Sequence, residues 1–436
     1  MEQILAIFRV PELRKRVGIT FLLLFIYRMG FQIPLPGVDL AGIQAASEKI
    51  AGGSWGAIFG IMNAFTGAGI GNAALFSLGV MPYISASIIF SLMVKVVPAL
   101  EALSKEGAAG QKKINQYTRM ATVPICLLQA FFIYSGVLMN PAYGMLTGGH
   151  GPFYGPMVIV ALTAGTMFIM WLGEQITEHG IGNGISMIIM CGIIATMPGA
   201  MKQTMEVAEN AHQLLVAMSS LWLATVLVVV YITKGQRRIP IQQARMTRGR
   251  KVMGGAKHYL PLKVNQAGVM PIIFAGALFM VPQVIGTIPG LTWFGDLFNR
   301  AGFVYITLYV TLIFFFSFFW VNLMFQPEEI ANNLKEYGSF IPGIRPGSAT
   351  SAYLSFVLNR VTLAGSAFLA IIAVLPTLLT ANLNVSMMVT YFLGGTSILI
   401  VVGVALDLVD RLNSHLLMRN YDGFMKAGGS GWARRS

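Results

Sequence analysis

Charge is what this chain has least of. Of its 436 residues only 11% are Asp, Glu, Lys or Arg, while 55% are hydrophobic and the mean hydropathy is +0.68; ordinary soluble domains carry about 25% charged residues. A soluble globular protein is excluded. Cysteine is nearly absent too. Cys126 and Cys191 lie inside apolar runs with no neighbouring His or acid, which supports neither a disulfide framework nor a metal site. The histidines, His150, His179, His212, His258 and His415, are scattered, with no pair at ligand spacing. No Gly-x-x-x-x-Gly-Lys-Ser/Thr loop is present, so work drawn from nucleotide hydrolysis has to come from a partner. The apolar runs also offer no Ser with a His base and no paired Asp. The expectation is a protein that is not an enzyme, with no catalytic residues, no cofactor and no metal.

Long apolar runs are what the chain has in abundance. Ten stretches of about the 20 residues needed to cross a hydrocarbon core fall near 17–36, 73–95, 119–139, 153–173, 183–201, 214–234, 266–286, 303–325, 361–380 and 389–410. No water reaches backbone groups in a bilayer, so each stretch is expected to be a helix. The first follows Arg14-Lys15-Arg16 as in a signal peptide, but no small-residue cleavage site comes after it, and it is read as a retained span.

The charges orient these spans. Lys and Arg crowd the N-terminal segment, the second-to-third, sixth-to-seventh and eighth-to-ninth connections and the tail. Only Arg28 lies within the first span, and only Lys49, Lys202 and Arg300 fall on the opposite side. Positive-inside bias then puts both termini in the cytosol. Topology alone accounts for the net charge of +13, and direct binding of DNA is not expected. All 17 acids lie in tails, loops or the last turns of spans. An ion-coupled pump needs an ionisable or strongly polar group near the midplane, so this distribution argues against one.

Gly79-Val80-Met81-Pro82-Tyr83-Ile84 in the second stretch recurs as Gly268-Val269-Met270-Pro271-Ile272-Ile273 in the seventh. Each copy sits in the second helix of a five-helix half. Five is odd, so the halves run in opposite directions and are expected to be inverted repeats meeting around a central pathway. The expected architecture is an all-α membrane protein of ten transmembrane helices, divided into residues 1–203 and 204–436. Between the first two spans, Ile61 to Asn72 is apolar but broken by Gly67, Gly69 and Gly71. Irregular backbone at membrane depth is tolerated where protein buries it or where it lines a cavity. A re-entrant element in the pathway and an ordinary external loop are both open on this evidence.

Two cytosolic connections carry more than topology requires. Residues 234–265 contain Arg237, Arg238, Arg245, Arg248, Arg250 and Lys251, and residues 326–360 set a lone Arg345 between Pro342-Gly343 and Pro346-Gly347. Pro-Gly turns present a side chain at a fixed tip, and Arg suits bidentate contacts with acidic or phosphate-bearing partners.

Several longer motifs carry a family resemblance. They are Met81-Pro82-Tyr83-Ile84-Ser85-Ala86-Ser87-Ile88-Ile89, Gly165-Thr166-Met167-Phe168 with Trp171-Leu172-Gly173-Glu174-Gln175-Ile176-Thr177-Glu178, and Gly180-Ile181-Gly182-Asn183-Gly184-Ile185-Ser186. Leu260 to Asn265, Pro342 to Gly347 and Gly394-Gly395-Thr396-Ser397 extend it along essentially the whole chain. The sequence resembles the bacterial SecY family. That resemblance implies a protein-conducting channel of the general secretory pathway in the bacterial cytoplasmic (inner) membrane. It implies SecE-type and SecG-type small subunits, the SecA ATPase, the ribosome, signal-sequence-bearing preproteins and membrane lipids as partners.

It also implies residue roles. The pore ring would be Val80, Ile84, Ile185, Ile189, Ile273 and Ile400, with Val80 a departure from the family's frequent Ile. The plug would be the glycine-rich segment, with Met62, Phe65, Gly67, Gly69, Ile70 and Gly71. The lateral gate would lie along Ser85, Ser87, Gln129 and Val281, and the motor and ribosome contact would use Arg237, Arg238, Arg250, Lys251 and Arg345. The residues support part of this independently: Val80 and Ile84, like Ile185 and Ile189, are four apart and share a helix face. A narrow apolar ring blocks ions by dewetting. A secondary transporter of small solutes would also explain inverted repeats, but it would want polar groups at the midplane.

Overall fold

Proline and glycine decide where the apolar runs turn helical. The computed structural model describes residues 10–38, 73–139, 151–207, 211–243, 246–248, 251–253, 257–286, 302–381 and 395–429. The helices there are α1 (Pro11–Met29), α2 (Met81–Val96), α3 (Pro98–Lys105), α4 (Ala108–Ile133, prolonged by a π-helical turn Tyr134–Leu138), α5 (Tyr154–His179) and α6 (Gly184–Val207). They continue with α7 (Ala211–Lys234), α8 (Met270–Gly286), α9 (Phe303–Met324), α10 (Pro327–Glu336), α11 (Ser348–Ala381) and α12 (Gly395–Gly429). A proline sits in the first two helical positions of α1, α2, α3 and α10. There its missing N–H removes a donor that has no partner within the helix.

Each expected stretch overlaps a helix, with shifted ends. The second starts only at Met81, because residues 75–80 form turns. The ninth lies within a longer helix, α11, which begins at Ser348, and the tenth overlaps α12, which begins at Gly395 and runs on to Gly429. Among the described residues four helices are long and apolar enough to cross a membrane: Ala108–Leu138, Tyr154–His179, Phe303–Glu336 and Ser348–Leu375. Met81–Val94 and Pro98–Lys105, bent by 95°, make a fifth if taken as one broken span.

The all-α expectation needs correction. The chain is mostly helical, but its described residues include five strands: β1 (Gln236–Gln243), β2 (Met246–Arg248), β3 (Lys251–Met253), β4 (Lys257–Lys263) and β5 (Ser339–Phe340). β1 pairs antiparallel with β4 from Gln236↔Lys263 to Gln242↔Lys257, and on its other edge with β5 at Gln242↔Phe340 and Gln243↔Ser339. β2 and β3 form a separate two-stranded ribbon. The cause is period-two burial: Ile239 and Ile241 point inward while Arg238 and Pro240 face out. The 326–360 connection is likewise no plain loop, since it holds α10, β5 and the first turns of α11.

The chain divides into two units, one of Met1–Ala208, Ser386–Phe392 and Val404–Ser436, the other of Glu209–Val385 and Leu393–Gly403. In the first, α5 packs against α1, α4 and α6, and α2 packs against α4. Apolar side chains gain little from leaving lipid, so small residues that let backbones approach carry this packing. A Cβ at Gly165 of α5 would overlap the Leu75 carbonyl oxygen, and one at Gly30 would overlap the Phe76 ring. Phe76 stacks 5.9 Å from Phe168 and meets Phe31 edge-on at 5.9 Å. The strand-like pieces on either side tie together: Leu35 N–H donates to Ala73 O at 2.8 Å and Leu75 N–H to Ile33 O at 2.9 Å.

In the second unit α8 packs on α9, and α11 packs on α9 and α10. Aromatic edges lock the first pair, with Phe274 5.5 Å from Phe316 and 5.4 Å from Trp320, both edge-on. The sheet has its own core of Ile239, Leu262, Ile341, Leu354 and Val357, so β1, β4 and the segment after β5 are seated on α11.

Candidate functional site

The repeated motif folds the same way twice. Gly79 has φ 55° and Gly268 φ 64°, a left-handed conformation that costs an L-residue about 1–2 kcal/mol. Two residues later a helix begins, at Met81 in α2 and Met270 in α8, with Pro82 and Pro271 at the second position. Val80 O accepts from Ile84 N–H at 3.0 Å, and Val269 O accepts from Ile273 N–H at 3.3 Å. Ile84 and Ile273 thus occupy the same position of the same local structure, and each is 8% exposed. Val80, at the N-cap of α2, is buried on the face it shares with Ile84.

Ile185 and Ile189 are aimed by the elbow joining α5 to α6. Asn183 Oδ1 caps α6, accepting from Ile185 N–H at 3.1 Å and Ser186 N–H at 3.3 Å. Thr177 of α5 accepts from Gly184 N–H at 2.8 Å. A Cβ at Gly184 would overlap the Gly173 carbonyl oxygen, and one at Gly173 would press 2.9 Å from Ile185 Cγ1. α1 closes the elbow, since Thr20 Oγ1 accepts from Ile181 N–H at 3.2 Å. The outcome is a fixed α5–α6 crossing with Ile189 buried and Ile185 half-buried on one face of α6. Ile400 is buried in the second turn of α12.

Of the expected gate residues, Ser85 and Ser87 are half-buried on α2 and Gln129 is half-buried on α4. Ser85 donates to Met81 O at 3.1 Å, so its hydroxyl is satisfied by its own helix rather than bridging to another. Val281 is a residue of α8. The plug residues Met62, Phe65, Gly67, Gly69, Ile70 and Gly71 lie outside the described residues, as does Arg250.

β1 and β4 of the first basic connection share one sheet with β5 of the second. Arg237 and Arg238 are exposed on β1, opposite Leu262 and Pro261 of β4. β5 joins the same sheet and leads directly into the Arg345 tip. Ile341 is buried in the sheet core; Pro342 and Gly343 then turn, with Gly343 at φ 84° and Ile344 N–H donating back to Ile341 O at 3.1 Å. This is the pattern that Pro-Gly in the middle of a type II turn produces. Thr350 Oγ1 donates to Arg345 O at 2.9 Å, fixing the backbone while the guanidinium stays exposed. Lys251 is placed in β3, apart from this sheet.

Sequence reading missed the ion pair between Arg119 of α4 and Glu174 of α5. Its one signal was that Glu174 directly follows the apolar stretch 153–173, where an acid at the edge of a span is best placed beside a base. Among the described residues no group of three His, Cys, Asp or Glu is placed to hold a metal ion.

Apolar helices long enough to cross a bilayer and a duplicated helix start that buries an aliphatic residue in each unit define a membrane protein. The sequence model of the SecY family matches residues 74–409. A protein translocase subunit SecY of Thermotoga maritima is 42% identical over 424 residues, covering 97% of each chain. The chain belongs to the SecY family, whose members are named as translocase subunits. In fold it is similar to a structure described as a protein conducting channel, at a TM-score of 0.64 and 18% identity over 92% of each chain. It is also similar to the channel of a canine ribosome-channel complex from the endoplasmic reticulum, at a TM-score of 0.61 and 16% identity, again over 92% of each.

Proposed function

We propose that this chain is the channel subunit through which unfolded preproteins cross the bacterial inner membrane and from which transmembrane segments pass sideways into lipid. The observation that carries the reading is the equivalence of Ile84 and Ile273: one duplicated helix start delivers a buried aliphatic residue to the same position in each unit. With Val80, Ile185, Ile189 and Ile400 they would form an apolar constriction that excludes ions yet bends around a passing chain. In this proposal ten helices form two inverted halves, residues 1–203 and 204–436, both termini face the cytosol, and the segment 62–72 plugs the constriction. The gate opens along Ser85, Ser87 and Gln129 on one side and Val281 on the other.

Energy and direction come from partners. The related canine channel is seen with a ribosome, and in this chain the exposed Arg237, Arg238 and Arg345 offer a cytosolic surface suited to acidic or phosphate-bearing machines. Arg250 and Lys251 are assigned to the same surface, for the SecA ATPase as well as the ribosome. SecE-type and SecG-type subunits complete the complex. The surface assignment makes a separate demand: Arg345→Glu should abolish motor-driven export while the protein still inserts, and unchanged export would remove Arg345 from the contact.

The test of the channel itself is a photo-crosslinking residue at Ile189, with a control at Leu227, exposed on α7, in membranes holding a stalled tethered secretory chain. Strong adducts at position 189 and none at 227 are expected; adducts at neither would restore a transporter of small solutes.

A further inference from the structure

Outside these sites, one strip of the molecule combines oil with an unneutralised cation. Between α9 and α11 runs a groove of about 510 Å³ lined by Phe318, Asn322, Phe356, Asn359, Arg360 and Leu363. The Arg360 guanidinium lies over the Phe356 ring, 4.4 Å from its centre, and takes part in no ion pair among the described residues. Phe356 and Leu363 are both 54% exposed. Nothing in the groove is catalytic, and it belongs to neither the aliphatic set nor the Arg345 surface.

Its depth follows from helix length. α9 has 22 residues, about 33 Å at 1.5 Å per residue, which matches a hydrocarbon core of about 30 Å. Asn322 lies in the last turn of α9, just before α10 and the sheet. The amides and Arg360 therefore stand at the membrane boundary, with Phe318 a turn deeper on α9 and Leu363 further along α11. A hydrocarbon chain satisfies the phenyl and leucyl surface but leaves the guanidinium without an anion, and water does the reverse. A molecule with a phosphate at one end and an acyl chain at the other satisfies both.

We propose that this groove seats an anionic phospholipid. Its phosphate is held by Arg360 with Asn322 and Asn359 as amide donors, and one acyl chain lies over Phe318 and Leu363. Basic pockets between transmembrane helices at the cytosolic surface suit such headgroups, and the guanidinium fork matches phosphate oxygens. Only the choice of leaflet rests on the orientation proposed above.

The test uses the full chain with its co-purifying subunits in nanodiscs containing phosphatidylglycerol and phosphatidylcholine, with retained lipid counted by native mass spectrometry. Arg360→Gln should lower retained phosphatidylglycerol about fivefold, the effect of one interfacial charge, and leave phosphatidylcholine unchanged. Lys335→Gln, which removes a charge on α10 outside the groove, should change neither. Asn322→Leu, with a loss of about twofold, keeps the test decisive should Arg360→Gln fail to fold. Equal retention in the wild type and both groove variants would overturn the proposal. So would equal Arg360-dependent binding of inorganic phosphate in lipid-free detergent, which indicates a bare anion site, or a photo-crosslink from position 356 to a polypeptide instead of lipid. The Ile189 adduct scored on the same samples separates the readings: lipid lost with the adduct retained leaves the channel standing, and the reverse leaves only the lipid seat.

Discussion

The two copies of Gly-Val-Met-Pro are alike in backbone and unlike in surroundings. Before the first, residues 73–80 are almost wholly buried, threaded past Gly30 and Gly165 where no Cβ fits. Before the second, residues 264–269 descend from β4, several of them half-exposed, and a Cβ at Gly268 would meet nothing within 4 Å. Four residues are enough to write a left-handed turn and a helix start, because the information is local: a glycine, then a proline three residues later. How firmly that start is held is written elsewhere in the chain, in small residues that face it.

The comparison can be broken most severely by tying its two helices together. With cysteines at Ser85 on α2 and Val281 on α8, oxidation should stop secretion and reduction restore it; export unaffected by an oxidised crosslink would remove these helices from the gate. Next, Gly165→Leu should strip the first copy of its seat by driving a side chain into the Leu75 carbonyl. A cost of about 3 kcal/mol or more is expected from overpacking, measured as lost protease resistance of the purified complex. Smaller again, Gly268→Ala should cost about 1–2 kcal/mol, from backbone strain alone, while Gly79→Ala in its buried setting should cost more. Equal shifts in melting temperature for these two would contradict the asymmetry. Smallest, Pro82→Ala and Pro271→Ala should each stay within about 0.5 kcal/mol, since either residue suits the first helical turn.

Much of this was legible because hydrocarbon thickness imposes a length. Every 20-residue apolar stretch overlaps a helix, and the repeat marked Ile84 and Ile273 before any coordinate did. What could not be read depended on partners distant in sequence. The Gly173–Gly184 contact and the Arg119–Glu174 pair join different helices, and no local pattern announces either. The run from residue 73 looked like helix because it is apolar, yet Gly79 holds its end in a turn. The β1–β4–β5 sheet was masked by its own charges: bases explained by topology drew attention from the alternation of Ile239 and Ile241. Pro327-Glu328-Glu329 is an ordinary helix-start signature for α10, passed over because the segment seemed accounted for as a connection.

The sheet also fixes an order of events. β1 can zip to β4 once residue 263 has emerged from the ribosome, but its other edge waits for β5, which follows α8 and α9 in the chain. At about 5–20 residues per second, β1 passes several seconds as an unpaired edge, the kind of template on which neighbouring chains add strands. Completion of the third strand is therefore a late, long-range step. A nascent chain whose emerged part ends before Ser339 should carry that open edge, and one whose emerged part extends beyond Ser351 should have closed it.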